Sequence, residues 1–259
     1  MCLLPVVVHS ARAVADDTPA RWREISAGAD VTGNVWLIYT GSTLAPFGDI
    51  HEDGLRLRFS GGYGQYGYSG LRSPRPGVVP AEPRAFDAET TFADAMVGYQ
   101  WKLGPLTAKA FAGASGIGHT ISPFDPWMDV SGLEWGAKGI VELWLDVVPA
   151  VWASLDLSYA QAHRTYSART RVGYRVLPTL SVGAEAAVNG NAVGSEGLLS
   201  SRVPHAPYDA IDYSSGRLGG FVRYEWYGGE ISASAGVAGD IDRAEPSTAY
   251  ATINWLMQF

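Results

Sequence analysis

Few residues of this chain could attack a substrate, bind a metal or capture a phosphate. The histidines are His9, His51, His119, His163 and His205, scattered with no metal-ligand spacing, so no metal and no cofactor is expected. Cys2 is the single cysteine, which excludes an internal disulfide or a thiolate metal site. A lipid hydrolase at a membrane surface would need a serine, a histidine and an acid together. His119 and His163 sit where strands end and are the candidates for such a group, but no serine partner stands out. Gly62-x-Gly64-x-x-Gly67 matches the dinucleotide fingerprint in form. That motif works by aiming a helix N-terminus at phosphate, whereas Tyr66 and Tyr68 here continue a strand. The glycines are read instead as places where a strand bends, with tyrosines packing over them. No catalytic residue is assigned.

The remaining polar chemistry lies in charges that alternate with apolar residues. Arg56, Arg58, Asp94, Lys109, Glu134, Lys138, Glu142, Asp156, Arg169, Arg171, Arg175, Glu185, Arg217, Arg223 and Glu225 share a face with Ser, Gly and Trp144. Their neighbours one residue away are Leu, Val, Ala, Tyr and Trp. A side-chain period of two is that of an extended strand. On a soluble sandwich the charged face would meet solvent. In a barrel it lines the lumen, and neighbours of opposite sign must pair across strands. Such charges either brace the wall or select a solute.

The last residues show the same period. Ala251, Ile253, Trp255, Met257 and Phe259 share one face, opposite Thr252, Asn254 and Gln258. An apolar strand of this kind with an aromatic end is how outer-membrane barrels usually close. Trp255 and Phe259 are therefore expected to serve as the signal that the barrel-assembly machinery reads.

Taken in order, the alternating segments number about twelve, the even count of bacterial barrels. A first pair, Ser26–Thr32 and Val35–Ser42, is split by Gly33-Asn34. Gly54–Tyr68 and Phe86–Trp101 follow, separated by a Pro-rich loop, Ser69–Arg84. The connections Lys102–Pro105, Asp146–Ala150, Leu177–Pro178 and Tyr227–Gly229 are short and fall at one end. The longer Pro- and Gly-rich loops, Ser122–Asp129, Asn189–Asp212 and Asp240–Ser247 among them, fall at the other. Ala45–Asp53 is longer than its end of the barrel calls for, and Gly33-Asn34 and Gln161–Arg164 are brief for the other end. Aromatics gather beside the short turns, at Tyr99, Trp101, Tyr174, Trp226, Trp255 and Phe259, as at a membrane interface. The expected fold is all-β: an antiparallel, up-and-down transmembrane barrel in contact with outer-membrane lipid.

Composition agrees. Charged residues are 17% of the chain against 47% hydrophobic, and 31 residues are glycine. No apolar run is long enough for a membrane-spanning helix. A net charge of -7 argues against nucleic acid as a partner. Residues 1–15 read as a secretory signal, with an apolar run Leu3–Val8 and small-residue cleavage positions at Ala13 and Ala15, although no basic residue precedes the run. Residues 16–259 would then form the barrel.

Three segments in order carry a resemblance. They are Asp53-Gly54-Leu55-Arg56-Leu57-Arg58 with Gly61-Gly62-Tyr63-Gly64-Gln65-Tyr66, then Ala93-Asp94-Ala95-Met96-Val97-Gly98-Tyr99-Gln100-Trp101, then Gly216-Arg217-Leu218-Gly219-Gly220-Phe221. Together they resemble the cellulose biosynthesis protein BcsS family of Alphaproteobacteria, over about Gly33 to Phe259. The resemblance implies a non-enzymatic outer-membrane barrel of a Gram-negative cell, associated with cellulose production or export. It implies cellulose or the cellulose-synthase complex as partner. It supplies no catalytic residues. Trp127, Tyr208 and Tyr213, in the expected external loops, are candidates for glucan contact because sugar rings favour aromatic faces. The alternatives are a small-solute porin and an outer-membrane lipid-modifying enzyme.

Overall fold

The computed structural model describes residues 21–72, 82–125, 130–191, 213–240 and 247–259. Twelve strands run through them: β1 (Arg23–Thr32), β2 (Val35–Leu44), β3 (Gly54–Arg72), β4 (Glu82–Leu103), β5 (Leu106–Ser122), β6 (Gly132–Val148), β7 (Val151–Ala160), β8 (Thr165–Leu177), β9 (Leu180–Asn191), β10 (Tyr213–Trp226), β11 (Gly229–Asp240) and β12 (Thr248–Gln258). Each pairs antiparallel with its neighbour in sequence, and β1 pairs with β12, so the sheet is a closed barrel. Closure removes the open edges that a sheet otherwise exposes. At the seam, Arg23 N–H donates to the Phe259 carbonyl at 3.2 Å and Phe259 N–H to the Arg23 carbonyl at 2.8 Å.

The register carries one alternation around the whole wall. Glu24, Ser26, Gly28, Asp30 and Thr32 of β1 are level with Gln258, Leu256, Asn254, Thr252 and Tyr250 of β12. These side chains point inward. Ile25, Ala27, Ala29 and Val31 point outward beside Met257, Trp255, Ile253 and Ala251. The outward face keeps large apolar residues exposed, among them Val97, Val172, Leu218, Val222 and Ile253. Tyr99, Trp101, Tyr174, Tyr224, Trp255 and Phe259 ring the end where both termini lie. A second outward belt at the opposite end, formed by Trp36, Tyr63, Trp135, Tyr159 and Tyr166, does not stand out in the sequence. Trp36 and Tyr63 meet edge to face at 5.5 Å. Between Tyr166 and Tyr174 of β8 the wall rises about 20 Å, given a rise of about 3.3 Å per residue and a tilt of about 40°. That is near the height of an outer-membrane apolar band.

The wall is uneven. β3 and β4 pair as far as Arg72 and Glu82, so strand replaces both ends of the expected Ser69–Arg84 loop. Pro83 is tolerated because β5 stops pairing at Asp87, leaving that stretch of β4 hydrogen-bonded on one side only. The glycines of β3 also differ from expectation. The ring of Phe92, not a tyrosine, lies where a Cβ on Gly62 would be, while Tyr66 and Tyr68 turn inward and stack on each other at 6.2 Å. The short connection between β7 and β8 is a 3-10 turn, Ala162–Arg164, in which His163 adopts a left-handed φ of 48°.

The Ala45–Asp53 turn is long because it folds into the barrel mouth. Ala45 and Ile50 are buried there. Ala45 N–H bonds the Trp22 carbonyl at 2.7 Å, and Ile50 N–H bonds the Arg21 carbonyl at 2.6 Å. Gln100 donates from Nε2 to the carbonyls of Ile50 (3.1 Å) and Glu52 (2.8 Å). The turn forms a floor rather than a dangling hairpin.

Candidate functional site: the charged lumen

Every charged residue proposed to share the inner face lies on a strand position whose register points into the barrel, and the structure sorts them into groups. One belt runs across four strands: Lys109 of β5 is level with Glu142 of β6, Glu142 with Asp156 of β7, and Asp156 with Arg169 of β8. Adjacent Glu142 and Asp156 would repel each other. Arg58 of β3 relieves this by a bidentate ion pair to Glu142, which Lys109 Nζ also approaches to 4.0 Å. Arg169 holds Asp156 at 3.1 Å. Arg58 also lies 3.9 Å over the Phe111 ring and donates to Thr43 Oγ1 at 3.1 Å, so its position is fixed on three sides.

Other pairs brace the rest of the wall. Lys138 reaches Asp94 at 2.7 Å, with Ser60 donating to the same carboxylate oxygen at 2.9 Å. Arg217 pairs with Asp30, which Thr252 also contacts at 3.1 Å. Arg223 sits between Glu225 and Glu230, 4.7 Å over the Trp144 ring. Arg175 bonds Asp146 at 2.7 Å near the short-turn end. Glu185 accepts from the Tyr250 hydroxyl at 2.8 Å instead of from an arginine. Such pairs are favourable only when both partners remain, since a lone charge in a poorly solvated interior is costly.

Two of the charges do something else. Arg56, 1% exposed, has no carboxylate partner among the described residues. Its guanidinium donates to backbone carbonyls of Asp49 (3.1 Å), Ile50 (3.2 Å) and Glu52, clamping the floor turn. Glu134 stands at the far end of β6, where it accepts from the backbone N–H of His163 at 2.9 Å and lies 3.1 Å from its Nδ1. His163 Nε2 faces the Ile117 carbonyl at 3.2 Å. His119 meets His163 edge to face at 5.1 Å and the Tyr66 hydroxyl at 3.1 Å. Neither histidine bonds a serine hydroxyl among the described residues, and the cluster sits within the lumen end rather than on the outward face.

The space left between these groups is a cavity of about 800 Å³, lined by Glu24, Tyr39, Arg58, Lys138, Trp144 and Arg171 among others. Near the 3-10 turn the lumen is instead filled by Phe92, Ile117, Ala160 and Ala162, with Phe86, Ala88 and Ile121 beyond them. Trp152 is 0% exposed and stacks on Trp144 at 4.2 Å, and Gly173 opposite lies so close that a Cβ there would collide with the indole. Asp30, Glu230 and Asp146, the carboxylates that pair Arg217, Arg223 and Arg175, are missing from the residues singled out by sequence. The alternation Glu24, Ser26, Gly28, Asp30 would have revealed the first. Trp127 and Tyr208 lie outside the described residues, as does the side chain of Tyr213, which begins β10.

Comparison with known proteins agrees with this architecture. The family model for cellulose biosynthesis protein BcsS matches residues 25–197. The fold is the closed antiparallel barrel of outer-membrane proteins, and the chain belongs to the cellulose biosynthesis protein BcsS family. The comparison with curated proteins gives no match. Among solved structures, the TodX deltaS2S3 mutant monoaromatic hydrocarbon channel is similar at a TM-score of 0.50 and 8% identity, covering 92% of this chain and 89% of that one. LpxR from Salmonella typhimurium gives 0.49 at 13% identity, covering 91% of this chain and 100% of that one. The KdgM porin gives 0.44 at 8% identity, covering 91% and 99%. At these identities the likeness is one of fold.

Proposed function

We propose that this protein is a non-enzymatic barrel of the bacterial outer membrane that assists cellulose biosynthesis or export. The observation that carries the reading is the family match over residues 25–197 together with a closed barrel whose outward face is apolar between aromatic belts. Lipid is the natural solvent for that face. Most of the inner charges are bound to one another, which suits a braced wall. Among the described residues no serine hydroxyl bonds either histidine of the cluster, which favours an accessory role over lipid hydrolysis. Residues 1–15 act as the export signal, and Trp255 and Phe259 present the closing strand to the barrel-assembly machinery. Glucan or the synthase complex is the partner. Measuring cell-attached and released cellulose in an in-frame deletion strain tests this. Both amounts unchanged would sink it.

A small-solute porin is the second reading, favoured by the cavity of about 800 Å³ inside the wall. Steady conductance of the purified barrel in a planar bilayer, with cellulose unaltered in the deletion strain, would favour it instead.

A further inference from the structure

Among the described residues Arg171, like Arg56, has no carboxylate partner in the otherwise paired lumen, and unlike Arg56 it has no cluster of backbone carbonyls in its place. Its Nε donates a long hydrogen bond of 3.4 Å to Ser154 Oγ, and among the described residues no carboxylate lies within ion-pair distance of it. Glu185 is level with it across the β8–β9 ladder, yet that carboxylate is taken by the Tyr250 hydroxyl at 2.8 Å. The other nearby acids are engaged as well: Asp156 by Arg169, and Glu230 by Arg223. The guanidinium is nonetheless held in place. It lies 5.7 Å from the Trp152 ring centre and 5.8 Å from that of Phe221. Its side chain forms part of the wall of the central cavity, beside Arg169, Arg223 and Trp144.

A cation fixed on one edge and open on the other, inside a low-dielectric wall, attracts a counter-anion more strongly than it would in bulk water. The planar fork of a guanidinium matches two oxygens of a carboxylate or phosphate. We propose that Arg171 is the centre of an oxyanion-binding site in the lumen, taking a small carboxylate or phosphate group through its two terminal nitrogens. Arg169 and Arg223 add positive field, while their Nε and Nη2 atoms are held by Asp156 and Glu230. Trp144 provides an apolar wall for whatever carries the anionic group. This proposal rests on the barrel and its cavity, not on the cellulose role, so the two fail separately.

The test is inorganic phosphate binding to the purified full-length protein in detergent, followed by 31P line broadening at constant ionic strength set with chloride. Wild type should broaden the signal saturably, and acetate should displace the phosphate. Arg171→Gln should weaken binding by about tenfold or more, the factor carried by one charge-assisted hydrogen bond. Arg171→Lys, which keeps the charge, should retain part of the binding. Arg175→Gln, which removes an arginine held by Asp146 near the rim, should leave it unchanged. Heat-modifiable mobility on gels checks that each variant is folded. Absence of saturable broadening in wild type, binding unaltered by Arg171→Gln, equal loss in Arg175→Gln, or failure of acetate to compete would each overturn the site.

Discussion

Removing the Glu142 carboxylate would leave Arg58 and Lys109 facing each other without the charge that reconciles them. Glu142→Gln is therefore expected to destabilise the barrel by about 3 kcal/mol, the scale for breaking one side of a buried pair. The readout is the temperature at which the folded gel band converts to the unfolded one. Replacing both partners, Arg58→Met with Glu142→Leu, should recover most of the loss, because an apolar pair leaves no stranded charge. If the double variant melts as low as the single one, the pair is not a brace. A packing contact makes a separate prediction. Gly173→Val would place methyl groups where the Trp152 indole lies, and should destabilise the barrel by about 1–3 kcal/mol of overpacking, read as a lower value of the same melting temperature. At this scale the sequence was informative about direction and poor about pairing. Alternation told which way Arg58, Asp94 or Arg217 points, because the backbone period fixes that. Which carboxylate each one meets depends on stagger between strands, so Asp30 as the partner of Arg217 became visible only in the folded barrel.

Among the elements, the Ala45–Asp53 turn is the part whose role its residues hid. Its length marked it as unusual, but its position inside the mouth follows from Arg56 and Gln100, which read as ordinary inward residues. Asp49 ties it further: its carboxylate accepts from the backbone N–H groups of Arg21 (2.9 Å) and His51 (2.7 Å). Burial raises the Asp49 carboxyl, but these two hydrogen bonds outweigh it and hold the group below its ordinary value of 3.8. A carboxyl depressed in the folded state stabilises it fully above that ordinary value and loses the contribution as pH falls through the lower folded one. Protection of the amides of residues 45–53, taken relative to the intrinsic exchange rate at each pH, should therefore be high near neutrality and fall selectively below about pH 3.8. Arg56→Ala should produce the same loss of protection at neutral pH by releasing the clamped carbonyls. A turn that exchanges equally fast in wild type and variant is not a held floor. The strands themselves were legible to within a few residues, because period-two patterning and short turns such as Gly104-Pro105 are local signals. The extension of β3 and β4 past their neighbours was not, since Pro83 ordinarily ends a strand and only a one-sided pairing admits it.

For the whole molecule, closure and function stand on different footing. Closure follows from physics: an even set of alternating strands with an apolar outside has no other way to satisfy its edges in lipid. The outward aromatic belts at both ends predict that the protein partitions wholly with outer membranes on fractionation and shows heat-modifiable mobility; recovery in the soluble fraction would contradict this. The cellulose role comes from family membership over residues 25–197, not from any group in the lumen, since nothing in a braced wall names a neutral glucan. That is why the fold could be read from alternation while the role required the three ordered segments. The most direct test of the account is the amount of cellulose at the cell surface in a strain lacking the gene, compared with the same strain carrying it in trans. Surface cellulose is expected to be lost in the first strain and restored in the second, and equal cellulose in both strains would contradict the cellulose role.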